Sequence, residues 1–284
     1  MLITQPDAGI APIVQAIRRA KQAVHVCIFR FDRPEVEKAL AAAVERGVRV
    51  RALIAHTNRG GEAGLRKLEQ RLLDAGLTVT RTPDDLRRYH GKFLVADDML
   101  HVFGFNFTKL DIDKSRSFGI ATRDKRTIQE ALKLFEADVT RTAYQPSRSN
   151  LVVSPETSRT MLGAFLKGAR KDLSIYDEKI QDPAMIKILK DLAGNGVRVR
   201  VLGDLEGPDG DVVVRPLKTL RLHVRAIVRD GMRAFVGSQS LRQDELDKRR
   251  EVGLLINSRA VTRSLLKVFD ADWEASASKQ ERVA

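Results

Sequence analysis

Two short stretches of this sequence place a histidine, a cation and an acid at one spacing. In "YHGKFLVADDMLHVFGFNFT" (89–108) they are His90, Lys92 and Asp97; in "LHVRAIVRDGMRAFVGSQS" (222–240) they are His223, Arg225 and Asp230. Both read His-x-(Lys/Arg)-x4-Asp. In an extended chain residues i and i+2 share a face, so imidazole and cation are expected on the same side. A cation beside an imidazole is a poor core arrangement and a good phosphate site. The cation holds a non-bridging oxygen while one neutral imidazole attacks phosphorus; a second, protonated, gives its proton to the leaving oxygen. Two cations carry the charge that a metal would otherwise take, so this chemistry calls for no metal and no other cofactor. The acids read differently. Asp97 precedes Asp98 and Asp230 precedes Gly231, both turn positions, so structural support is their expected role.

The elements that must position these residues come from a chain written twice. "ERGVRVRALI" (45–54) returns as "GNGVRVRVLG" (194–203), and the same offset of 149 carries Pro34 onto Pro183. Each proline opens a helix, where its missing N–H costs nothing. Val36, Leu40, Ala43 and Val44 form the apolar face of one helix, and Met185, Ile188, Leu189 and Leu192 that of the other; Gly47 and Gly196 stop them. Such strand–helix–strand units predict an α/β fold. Its two pseudo-symmetric halves would each be a mostly parallel sheet flanked by helices, with one site shared at their interface. "LFEADV" (134–139) answers "VFDADW" (268–273) at the shorter offset of 134, because an amphipathic helix near 60–76 has no counterpart in the second copy. The turn-rich "YQPSRSN" (144–150) parts the copies, giving a first repeat over 1–146 and a second over 147–284.

A formal net charge of +13 on 284 residues points to polyanionic partners: nucleic acid, an anionic membrane surface or phosphorylated substrates. The single cysteine, Cys27, excludes an intrachain disulfide and a cysteine-only metal cluster, and within "VHVCIF" it reads as core. No apolar run approaches the roughly 18 residues needed to span a bilayer, and the N-terminal residues lack a signal-peptide pattern. The expectation is a cytoplasmic protein that is not secreted, with peripheral contact at an anionic membrane left open. Arg49, Arg51, Arg198 and Arg200 alternate in buried-looking strands and read as outward salt bridges. His25, His56 and His101 have no motif around them and read as core or surface.

Over essentially its whole length the chain resembles the phospholipase D superfamily, in which a His-x-Lys-x4-Asp motif occurs twice, each trailed by a polar Gly-Ser segment. The resemblance implies two-step phosphodiester transfer through a phosphohistidine, without metal. It makes His90 the nucleophile and His223 the general acid, with Lys92 and Arg225 as the catalytic cations. Asn106, Ser238 and Ser240 of the polar segments would meet the substrate phosphate, and Glu251 in "RREVGLLI" would be the carboxylate that orients a histidine. Copy two keeps "GSQS", whereas copy one reads "FGFN" and sets Ser117 opposite Glu251. On that alignment Glu251 stands beside His223 and favours its protonated form, while His90 has no orienting carboxylate. The second motif is worded most like bacterial cardiolipin synthase-like proteins, so a phospholipid is the first expected substrate. A metal-independent nuclease is the alternative, and a non-catalytic phosphate- or nucleic-acid-binding member the next. The oligomeric state is not legible.

Overall fold

The structure, a computed structural model, describes residues 1–57 and 61–277. The first copy begins with β1 (Leu2–Gln5), α1 (Ala11–Arg19), β2 (Ala23–Ile28), α2 (Pro34–Glu45), β3 (Arg49–Ile54), α3 (Gly61–Asp74) and β4 (Thr78–Arg81). It continues through β5 (Arg88–Tyr89), β6 (Phe93–Ala96), β7 (Met99–Phe103), α4 (Lys109–Asp113), β8 (Ser115–Thr122) and α5 (Lys125–Thr140). The second copy opens with β9 (Leu151–Val153), α6 (Ser158–Lys167), β10 (Asp172–Ile180), α7 (Pro183–Gly194), β11 (Arg198–Leu205) and β12 (Val213–Arg215). After β13 (Arg221–Leu222) come β14 (Arg225–Arg229), β15 (Arg233–Gly237), α8 (Gln243–Asp247), β16 (Arg249–Arg250), β17 (Val252–Ile256) and α9 (Arg259–Ser276).

Local chemistry sets these boundaries. Pro34 and Pro183 each stand in the first turn of α2 and α7, and Asp182 caps α7 by accepting the Met185 N–H at 3.0 Å. Gly47 and Gly196 end the same two helices at φ +82° and +84°, a region that a side chain disfavours. Helix α3 is the expected insertion, although Gly60, at its anticipated start, lies outside the described residues.

The main sheets have corresponding strand orders, β1-β8-β7-β6-β2-β3-β4 and β9-β17-β15-β14-β10-β11-β12. Two α/β halves with matching topology are therefore what the sequence led us to expect. The sheets are mixed, however, and not mostly parallel. Only β2–β3, β3–β4, β10–β11 and β11–β12 run parallel, and the other neighbours along each order are antiparallel. Connectivity explains the correction. Parallel pairing needs a long crossover, such as α2 and α7 supply, whereas the motif strands β6–β7 and β14–β15 close as hairpins.

Three apolar clusters layer the molecule. One lies under α1 and α2 and includes Ile13, Leu40, Val50 and Phe103. Its counterpart under α6 and α7 includes Leu162, Ile175, Leu189 and Phe235. The third joins the two halves, bringing Phe93, Phe118 and Phe135 together with Tyr176, Phe269 and Trp273. Cys27 belongs to this joint core, and burial pushes its thiol well above the usual range.

Two short ladders cross between the copies. β13 adds to β8, with Arg221 opposite Ser115, and β16 pairs with β5, with Arg249 opposite Arg88. Buried ion pairs brace them crosswise: Arg250 reaches Asp138 of α5 at 3.1 Å, and Arg116 reaches Asp272 of α9 at 2.7 Å. Among the described residues, no helix is long and apolar enough to cross a membrane.

Candidate active site

Each motif histidine follows one of the crossing ladders. His90 stands between β5 and β6, and its N–H donates to Arg250 O at 2.7 Å; His223 stands between β13 and β14, and its N–H donates to Arg116 O at 3.2 Å. Neither lies within a long strand, as the hairpin pattern implied. Both sit where the chain leaves the other half's ladder and enters its own sheet. That geometry brings the two motifs to one interface, close enough that His223 and Arg225 both act electrostatically on His90. The rings are nearly buried, at 9% and 8% exposure.

The surroundings of His90 settle its tautomer. Lys92 Nζ lies 3.1 Å from Nε2, and an ammonium has only hydrogens to give, so Nε2 accepts. The proton is therefore on Nδ1, which donates to the Glu251 carboxylate at 2.9 Å. Burial, followed by Lys92 and Arg225, depresses the proton affinity of His90 well below that of an ordinary histidine. It is a neutral imidazole whose Nε2 lone pair accepts from Lys92. Burial also lowers Lys92 to about 8, against the opposing pull of Glu251.

Glu251 thus corrects the sequence expectation. It is fully buried on the second copy, yet it orients His90 of the first, because β16 pairs with β5 and carries the next residue to the opposite motif. Burial raises its carboxyl from the usual range, with Lys92 the largest opposing influence. His223 meets a different acid. Its Nδ1 lies 3.0 Å from Glu178 Oε1 at the end of β10, and Nε2 lies 3.2 Å from Asp111 Oδ2 on α4. Burial works to raise both acids but is outweighed. Contacts from His223 and Arg225 hold Glu178 at about 2, and His223 and Asn106 keep Asp111 well below the carboxylate range.

Neither Glu178 nor Asp111 was singled out from the sequence. A signal existed for both. The repeat offset of 149 sets Glu178 opposite Phe29, and the offset of 134 sets Asp111 opposite Glu245. These acids fall outside the His-x-(Lys/Arg)-x4-Asp pattern.

The remaining expected residues divide into two groups. Arg225 is 5% exposed; its Nε donates to Ser240 Oγ at 2.9 Å and its Nη2 reaches Glu178 at 3.2 Å. Asn106 donates its side-chain N–H to Asp111 at 2.7 Å. Arg225 Nη1 and Asn106 Oδ1 are buried without a hydrogen-bond partner. Ser238 does not face this space. Its hydroxyl bonds the Val252 backbone and Glu251, so it supports the wall behind His90. Asp97 and Asp230 are at the far turns, at φ 49° and 53°. Each accepts three consecutive backbone N–H groups: Lys21, Gln22 and Ala23 for Asp97, and Arg170, Lys171 and Asp172 for Asp230. They tie the motif hairpins to the start of β2 and β10 and take no part in the site.

A duplicated α/β fold with one histidine–cation pair from each copy at the shared interface defines the architecture. Residues 13–139 match the family described as "Cardiolipin synthase, PLD-like domain". Mitochondrial cardiolipin hydrolase of Canis lupus familiaris is 27% identical over 134 residues, covering 46% of this chain and 50% of that protein. The Homo sapiens protein of the same name is 26% identical over 163 residues, covering 54% and 62%. The chain thus spans between half and two thirds of the length of these curated relatives. Among solved structures, polyphosphate kinase from Porphyromonas gingivalis superposes with a TM-score of 0.78 at 16% identity, covering 96% of this chain and 50% of that one. Phosphatidylserine synthase from Haemophilus influenzae Rd KW20 gives 0.73 at 14%, covering 96% and 85%. These two likenesses concern the fold. Over residues 13–139 the chain is thus similar to phospholipase D-like proteins.

Proposed function

We propose that this chain is a phosphodiesterase that works through a phosphohistidine on His90, without metal. The observation that carries the reading is the coupling of two unlike histidines: a neutral one whose unprotonated Nε2 accepts from Lys92, and one with both nitrogens against carboxylates. His90 Nε2 attacks phosphorus, and the bond from phosphorus to the leaving oxygen breaks. That oxygen takes the proton from His223 Nε2. Lys92 and Arg225 hold the non-bridging oxygens, and the partnerless Arg225 Nη1 supplies a donor already buried there. Water or an alcohol then gives its proton to His223 and attacks phosphorus. The phosphorus–nitrogen bond opens, and its electron pair returns to His90.

A phosphatidyl ester is the favoured substrate, supported by the cardiolipin named in the matching family and relatives. A nucleic acid strand is the second reading, favoured by symmetric basic pairs around the site. Arg88 and Arg221 precede the two histidines by two residues, Arg30 follows β2, and Lys179 lies near the end of β10. The test offers the protein, in EDTA, mixed phospholipids with an alcohol acceptor and separately labelled single- and double-stranded nucleic acid. Headgroup release or exchange supports the first reading and strand cleavage the second. Binding of either without turnover removes the enzymatic proposal.

A further inference from the structure

The pseudo-twofold symmetry breaks at the positions that hold the histidines. Position 251 has its counterpart at Ser117, and Ser117 does lie at the other histidine: its Oγ donates to His223 O at 2.7 Å. A hydroxyl there is too short to reach the imidazole ring. Position 29 has its counterpart at 178. Phe29 meets the His90 ring edge-on at 4.8 Å between centroids, with no acid to offer, whereas Glu178 reaches His223 Nδ1 at 3.0 Å. At Nδ1, His90 is therefore held by a carboxylate from the opposite copy and His223 by one from its own.

We infer that Glu178 is the positioning residue of the proton-donating histidine, standing in from β10 for the carboxylate that the second-copy pattern leads one to expect at Ser117. This rests on His223 acting as the donor in the reading above. Glu178 is ionised and can only accept, so the Nδ1 hydrogen of His223 is fixed on it, and Nε2 is the nitrogen turned to the leaving oxygen. The same carboxylate grips Arg225 Nη2 at 3.2 Å and so sets the ring and the phosphate-binding cation against one another. Arg221 Nη2, 3.4 Å from Nδ1, and Asp111 at Nε2 complete the charged groups in contact with the ring. With its side chain 29% exposed, Glu178 sits nearer solvent than the fully buried Glu251.

A positioning role for proton donation has a signature that a structural role lacks. An alkoxide leaving group needs the proton, whereas 4-nitrophenolate leaves without it. The experiment compares bis(4-nitrophenyl) phosphate with whichever of dihexanoyl-phosphatidylglycerol or a dinucleotide the native chain turns over. Glu178→Gln keeps the shape of the side chain, and unchanged thermal unfolding verifies the fold. We expect kcat on the alkyl diester to fall about 100-fold and the loss on the aryl diester to be at least about tenfold smaller. KM should change by less than about threefold, and Glu178→Asp should recover part of the loss. Glu251→Gln, which acts through the nucleophile, should lower both substrates alike. In a His223→Ala background, Glu178→Gln should remove nothing further. Equal losses on both substrates, a loss confined to KM, or an additive effect in the His223→Ala background would each overturn the inference. Turnover of neither substrate by the native chain removes the reading beneath it instead.

Discussion

His90 and His223 occupy equivalent places in the two copies and have unequal neighbours. Around His90 are an aromatic edge, a buried ammonium and a buried acid from the other copy. Around His223 are two ionised carboxylates and two guanidinium groups. The two motifs are alike in sequence, and a few different contacts give their histidines different surroundings, which is what the proposed division into nucleophile and proton donor rests on. The difference lies in side chains, since backbone ladders, strand order and motif spacing remain matched.

The largest expected effect separates these roles. His90→Ala should lower turnover about 10⁴-fold or more on any diester, because no bond to phosphorus can form. His223→Ala should be nearly as damaging on alkyl diesters and markedly milder on 4-nitrophenyl esters. Steady-state kinetics on both substrate types checks this, and an equal loss from the two variants on the aryl ester breaks the comparison.

The sequence carried the repeat, the two motifs and the turn role of Asp97 and Asp230, because each depends on local spacing. It did not carry the sheet direction at the motif strands, since a buried apolar run looks alike in parallel and antiparallel pairing. Glu251, expected beside His223, bonds His90 instead. The error is physical: linear proximity pairs it with His223, whereas the β16–β5 ladder carries it across the interface. Glu178 was invisible to a motif search because β10 lies 45 residues upstream of His223. Ser238 resembled a phosphate contact by its segment and proved to be a brace, which only the burial of its hydroxyl reveals.

The braces behind the two histidines offer the next contrast. Arg250→Met and Arg116→Met each remove one partner of a buried ion pair and should cost about 3–5 kcal/mol in chemical unfolding. The Arg250 variant should be pH-sensitive. Burial already pushes Asp138 up to about 7 despite Arg250, so without that cation the carboxyl takes a proton more readily still. An acid whose folded value is raised loses stability as pH rises from its unfolded value through its folded one. The loss should therefore be smaller at pH 5.5 than at pH 8, and a loss that grows on acidification contradicts this account.

A smaller effect follows from Lys92. Its ammonium must be charged to hold a phosphate oxygen, and burial lowers it to about 8, so the cation disappears as pH rises through that value. The alkaline limb of kcat/KM should set in no higher than about pH 8, falling up to about tenfold per further unit. A profile still flat at pH 9.5 would show that Lys92 is not required as a cation.

The most direct test of the division of labour is chemical capture of the intermediate. Radiolabelled diester is mixed with the protein, turnover is stopped in alkali, where phosphohistidine survives, and the labelled peptide is mapped. The label should fall on His90 and vanish in His90→Ala, while His223→Ala should still accept it from an aryl ester. Label on His223, or steady turnover with no labelled protein at any time, would contradict the account.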